Sequence, residues 1–266
     1  MGFVPSKVTG TYEQIEVIHA AVAVASVSDP HEQKAAARFL IHVLTTTPRE
    51  DDEDEKDGFV PVPAKVIERY FRRLDWRPLQ ETGLVEVKAY SRVRRKCREF
   101  RATHMLQRAF YEAGPTAARV VRDGLYDLVS GNPTRARKKS QRRTASGNAL
   151  PKLVRGAIDS VVEVPIDVTA IEHHLEKLRC LMDEAEAGPA WTKAQGRYLN
   201  DLRCYQAALM QGARPLNPEE PSGLWVYRPA YRPQRFGRVS QIGGGLQSCS
   251  TEMKSVAYPT DAPLPC

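Results

Sequence analysis

Residues 59–101, FVPVPAKVIERYFRRLDWRPLQETGLVEVKAYSRVRRKCREFR, decide how this chain is read. Phe59-Val60-Pro61-Val62 is a short extended piece, and Pro63 suits the first turn of a helix running AKVIERYFRRL. Asp75 is a capping residue for a second short helix, WRPLQETG, which Gly83 ends. LVEVKAYSR alternates apolar and polar residues as a strand does. VRRK makes a basic turn, and CREFRAT returns as a second strand. Helix, helix and a hairpin with a basic tip is the layout of a winged helix-turn-helix, in which one helix enters a major groove and the wing lies on phosphates.

Charge follows that layout. Arg92, Arg94, Arg95, Lys96, Arg98 and Arg101 crowd the turn and returning strand, with Glu99 the one intruding acid. On a strand Arg94, Lys96 and Arg98 share one face. The preceding helix adds Arg69, Arg72 and Arg73 within one turn's reach of each other, predicting a basic face. Ile67, Tyr70 and Phe71 are expected to face the core. An ordinary solvated hairpin is the bland alternative.

Outward from this segment, 11–28 and 31–46 have apolar residues at helical spacing, separated by Asp29-Pro30. Residues 50–57, EDDEDEKD, read as a solvated loop, since they lack the glycine and ligand spacing of a calcium loop. Residues 104–131 are expected to be helical, with a break at Gly114-Pro115. Residues 132–149 hold six Lys/Arg and almost nothing apolar, so they read as a basic flexible linker. Its Arg137, Lys138, Lys139 and Arg142 would thread along a phosphate backbone, serve as an import address, or merely solubilise. Helical periodicity returns at 150–162, 168–187 and 190–211. Beyond Gly212, Pro215, Pro218, Pro221, Pro229 and Pro233 exclude a long helix.

The whole chain has 266 residues, is 42% hydrophobic and carries a formal charge of +7. Without residues 50–57, which hold seven acids and Lys56, 38 basic residues face 25 acidic ones. A chain with that field attracts polyanions. The five cysteines are odd in number and never form CxxC, the pattern of reduced thiols in a cytoplasmic protein. Neither a signal peptide nor a stretch able to span a bilayer is expected. His173 and His174 lie about 100° apart on a helix without a third ligand at metal spacing, so both are expected to be solvated or half-buried. Ser240 and Ser250 have no adjacent histidine, which leaves a hydrolase triad without support. Trp76, Trp191 and Trp225 are expected as packing anchors.

Near the C-terminus the spacing Gly237-Arg238-x-Ser240, then five residues, then Leu246-Gln247, resembles the segment of family A DNA polymerases that reads Thr-Gly-Arg-Leu-Ser-Ser…Asn-Leu-Gln-Asn. Val164-Pro-Ile166-Asp167 followed by Ile171, Leu175 and Leu178 is similar to that family's entry to the thumb. Arg197-Tyr-Leu-Asn200-Asp201 would open a helix where the thumb ends. The overall layout also looks like phage- and plasmid-borne replication proteins. The resemblance implies that Arg238 contacts DNA phosphate and that Gln247 lies near a primer–template duplex. An arginine binds phosphate in two-point fashion, and a glycine-rich turn lets backbone N–H groups approach it. Phe236 and Gly244-Gly245 depart from the family pattern.

Family A catalysis needs two metal-holding aspartates, the first shortly after the Leu-Gln segment. The acids after Gln247 are Glu252 and Asp261, and Asp261 sits between two prolines that forbid a central strand. No catalytic residue and no cofactor is therefore expected in this chain; magnesium belongs to a complete palm. The gene is broken, a second chain supplies the rest of the palm, or the piece serves as a DNA-binding module.

Taken together, the sequence predicts a mainly α protein with an embedded α+β winged helix and an extended Pro/Gly-rich C-terminal arm. Its parts would be a helical hairpin (1–48), an acidic loop (49–58), the winged-helix-like region (59–103), a helical stretch (104–131), the linker (132–149), a thumb-like helical region (150–214) and the arm (215–266). The expected activity is DNA binding in replication, to duplex or primer–template. The alternative is a non-catalytic winged-helix regulator.

Overall fold

Thr11 opens the first helix with a reciprocal cap. Its hydroxyl accepts from Gln14 N at 3.1 Å, and the Gln14 side chain accepts from Thr11 N at 3.1 Å. The computed structural model of the chain describes residues 8–25, 27–46, 58–89, 97–134, 163–185, 188–219, 223–229, 231–233, 239–241 and 245–258. These are mainly helical, with small antiparallel sheets. They divide into two compact units, which between them share the residues of three helices.

The first unit comprises residues up to 115, 123–134 and 178–199. It begins with α1 (Tyr12–Val24) and α2 (Pro30–Thr45), the latter started by Pro30 with the Asp29 carboxylate accepting from His31 N at 3.3 Å. Strand β1 (Thr9–Gly10) pairs with β5 (Tyr126–Asp127). Between them in the chain come β2 (Val60–Pro61), α3 (Ala64–Tyr70), α4 (Arg77–Glu81), β3 (Val85–Lys88), β4 (Glu99–Ala102) and α5 (His104–Glu112).

The three strands form an antiparallel sheet in the order β2-β4-β3, with Val60 and Val87 both opposite Phe100. Alternation along β4 sends Phe100 and Ala102 inward, 0% and 1% exposed. Phe39 of α2 meets Phe100 edge-on at 4.9 Å and Phe71 at 5.4 Å, an arrangement aromatic rings favour. This cluster sets α2 on the sheet. Elsewhere in the unit the buried Tyr111 hydroxyl donates to Leu44 O at 2.9 Å and accepts from Gln195 Nε2 at 3.1 Å.

The second unit holds 116–122, 135–177 and 200–266. A sheet β6-β8-β7 is built from β6 (Val164–Asp167), β8 (Leu224–Tyr227) and β7 (Arg214–Pro215). Asp167 caps the helix that follows β6, accepting from Ala170 N at 2.9 Å. That helix is α7 (Val168–Ala185), and the next is α8 (Pro189–Met210); both run across the division of the chain, as does α6 (Ala117–Asp123). Trp225, Tyr205 and Ile166 are buried in this unit.

Four expectations are corrected. The helix of 104–131 stops at Asp123, because Gly124 takes φ 75° and the Asp127 side chain then holds a turn, accepting from Val129 N and from Ser130 Oγ at 2.8 Å. The predicted helix 64–74 ends at Tyr70, so Arg72 and Arg73 lie beyond it and Arg73 sits at φ 72°. Asn200-Asp201 lies in the middle of α8, since Pro189 opens that helix and its buried residues recur to Leu209. Residues 215–266 are not an extended arm throughout. Pro215 fits an edge strand, β9 (Tyr231–Pro233) pairs with β10 (Val239–Gln241), and a 3-10 turn (Leu246–Ser248) leads into α9 (Thr251–Ala257). Prolines forbid a long helix here and leave short strands open.

Candidate nucleic-acid interface

Trp76 and Phe59 organise the cations around the β2-β4-β3 sheet. The Arg98 guanidinium lies over the Trp76 ring, 4.6 Å from its centroid. Trp76 in turn meets the buried Phe100 edge-on at 5.7 Å, so a core residue fixes the platform. Arg98 is pinned through its backbone as well, its carbonyl accepting from Val62 N at 3.0 Å. Lys88 and Arg101 both lie over Phe59, at 4.7 and 4.8 Å. Arg101 also binds Glu86 at 2.6 Å. Such cation–aromatic contacts contribute about 0.5–1 kcal/mol at exposed sites and restrict the cation's orientation.

α4 begins beside this group. Asp75 accepts from Arg77 N at 3.1 Å and from Arg77 Nε at 3.0 Å. The helix ends where Leu84 N reaches back to Leu79 O and Gly83 N to Gln80 O, with Gly83 at φ 69°. That is a Schellman ending, which needs a residue comfortable at positive φ.

The predicted site residues fare differently. Arg69 is exposed on α3, 5.3 Å over the neighbouring Tyr70 ring. Arg72 is exposed, and Arg73 reaches only a long 3.9 Å contact with Asp29. Arg98 is half-buried on Trp76. Arg92, Arg94, Arg95 and Lys96, the linker's Arg137, Lys138, Lys139 and Arg142, and Arg238 lie outside the described residues. Gln247 is exposed in the 3-10 turn, but its side chain is occupied: Oε1 accepts from Gln241 N at 3.3 Å, while Gln247 N donates to Gln241 Oε1 at 3.2 Å. Gly245, at φ 42°, permits this, because a Cβ there would collide with the Gln241 side chain.

Trp76 as an arginine platform was not legible from sequence, where it reads as a packing anchor like Trp191 and Trp225, both 2% exposed. No local period distinguishes a tryptophan that supports a cation from one that fills a core.

The second unit contains a polar centre that sequence reasoning also missed. Asp201 is 0% exposed and accepts four hydrogen bonds. They come from His174 Nε2 (3.0 Å), Asn200 Nδ2 (3.2 Å), Ser250 N (2.7 Å) and Ser250 Oγ (2.6 Å). Ser250 also caps α9 by accepting from Met253 N. His174 is thus a paired residue, while His173 is exposed. Histidine and serine both bond the carboxylate and not each other, so the group is no nucleophilic triad. Burial, with Asp201 nearby, pushes the Cys204 thiol up to about 11 and the Cys249 thiol up to about 12. Both stay protonated near neutral pH and are poor nucleophiles.

Among the described residues no group of three or more His, Cys, Asp or Glu is placed to hold a metal ion, and no helix is long and apolar enough to cross a membrane. A cavity lined by His104, Tyr111, Asp183 and Trp191 is about the size of one water molecule. No family model, curated protein or solved structure matches the chain.

Proposed function

We propose that the chain is a cytoplasmic, nucleic-acid-binding protein whose first unit contains a winged helix that holds DNA by its phosphates. One observation carries this reading: the order α2, β2, α3, α4, β3, β4 with the sheet arranged β2-β4-β3. That order and sheet arrangement support a winged-helix reading, and the sequence between β3 and β4 holds Arg92, Arg94, Arg95 and Lys96. The test is a titration of labelled duplex DNA with the full chain at rising salt. With some four phosphate contacts, affinity falls about 100-fold from about 50 to about 200 mM salt. A flat response ends the proposal.

The wider role is DNA replication, as a non-catalytic part of a family A-like polymerase. Supporting it are the spacing from Gly237 to Gln247 and the step from Ile166-Asp167 into α7, where Asp167 caps the helix. A non-catalytic regulator is the second reading. It is favoured by the Gln247 side chain, which bonds Gln241 instead of presenting itself to a duplex. Binding to primer–template and to blunt duplex, each with and without Arg238→Ala, separates the two. Preference for primer–template that Arg238→Ala removes supports the polymerase role; equal binding throughout supports the regulator.

A further inference from the structure

α4 occupies the position from which a winged helix reads bases, yet it is only five residues long. At 1.5 Å per residue it spans about 7.5 Å. Sequence readout in a major groove requires three or four side chains that reach base edges. The exposed side chains of α4 and its end are those of Arg77, Gln80, Glu81 and Thr82. Arg77 is held by Asp75 through both its backbone and its side chain. The Thr82 hydroxyl donates to Pro78 O at 2.7 Å. Glu81 carries a charge that phosphates repel. Gln80 alone is equipped to read a base.

Arg98 is the opposite case. The Trp76 ring beneath it and the Val62–Arg98 backbone bond fix its position before any ligand arrives. Among the described residues no carboxylate pairs with it, in contrast to Arg101 on Glu86. A guanidinium supported on one face by an aromatic ring keeps its N–H edge available, and that edge matches the oxygens of a phosphate. Little rotamer freedom remains to be lost on binding.

We infer that this surface binds duplex DNA without reading its base sequence, and that Arg98, held on Trp76, is its phosphate anchor. The inference rests on the winged-helix reading above and goes beyond it in naming the mode of recognition. Trp76 is a positioning residue that acts through Arg98.

The test measures binding of the full chain to several duplexes of unrelated sequence and, in parallel, selects binders from a random-sequence duplex pool. The expected result is affinities within about threefold of each other and no enriched motif. Arg98→Ala weakens every duplex alike, by about 10-fold, and lowers the salt slope by about one. Trp76→Leu reproduces most of that loss with the arginine still present, whereas Trp76→Phe restores binding; the rescue separates positioning from misfolding. Gln80→Ala leaves all affinities unchanged. A motif enriched more than 100-fold, or a Gln80→Ala effect confined to one sequence, overturns the inference while leaving DNA binding intact. Loss of salt-dependent binding to every duplex would instead remove the underlying reading, and this inference with it.

Discussion

Arg98 in the first unit and Asp201 in the second treat a charge in opposite ways. Arg98 is half-buried, supported by a ring and left without a carboxylate among the described residues. Asp201 is fully buried, and four donors surround it. A buried ion must be satisfied, because desolvation costs several kcal/mol and nothing but close donors offsets it. A surface cation needs no partner to be tolerated, so it remains available to a ligand. Satisfied charge marks a structural centre, and a charge without a carboxylate partner is where the proposed binding would act.

The largest effect should come from breaking the buried centre. Asp201→Ala strands the His174 and Ser250 donors and loosens the start of α9, so a loss of about 3–5 kcal/mol is expected in urea denaturation. Asp201→Asn, which keeps an acceptor oxygen, should lose less. A drop under about 1 kcal/mol for the alanine variant would show that the four bonds barely stabilise the fold.

A third titratable group sharpens the contrast. His42, on α2 beside Phe71, is 5% exposed, and burial lowers its pKa to about 4. It is therefore buried neutral. Its folded pKa lies below the unfolded value of 6.5, so its contribution is intact above 6.5 and is lost as pH falls toward 4. Over that window the loss is roughly 3 kcal/mol. Denaturation midpoints measured across this range should fall steeply for the natural chain and less for His42→Gln.

The smallest stability effect belongs to the surface. Arg98→Ala should cost about 0.5–1 kcal/mol of folding stability while it weakens DNA binding about 10-fold. A stability loss as large as that of Asp201→Ala would make Arg98 a structural residue and erase the distinction between the two regions. Gly245→Ala lies between these extremes. Its positive φ and the contact with Gln241 predict a cost of about 1–3 kcal/mol, read as a lowered melting temperature.

Much of the helical framework was legible locally. Asp29-Pro30, Pro63 and Gly83 act through the backbone within a few residues, so their signals survive without knowledge of the fold. The misreadings arise where local evidence is neutral. FRRL continues a helical composition past Tyr70, and the early stop depends on Phe71 seating against Phe39. The proline-rich end reads as extended because nothing nearby announces that Ser250 will meet Asp201, 49 positions away in the chain.

Composition and spacing were sufficient for the mainly helical character, the helix starts and the concentration of positive charge, because each depends on neighbours along the backbone. They could not tell which charges are occupied. Arg98 and Arg101 are three residues apart and look alike in sequence, yet one rests on Trp76 and the other is bound by Glu86. Their difference, like that between His173 and His174, comes from side chains brought close by packing alone.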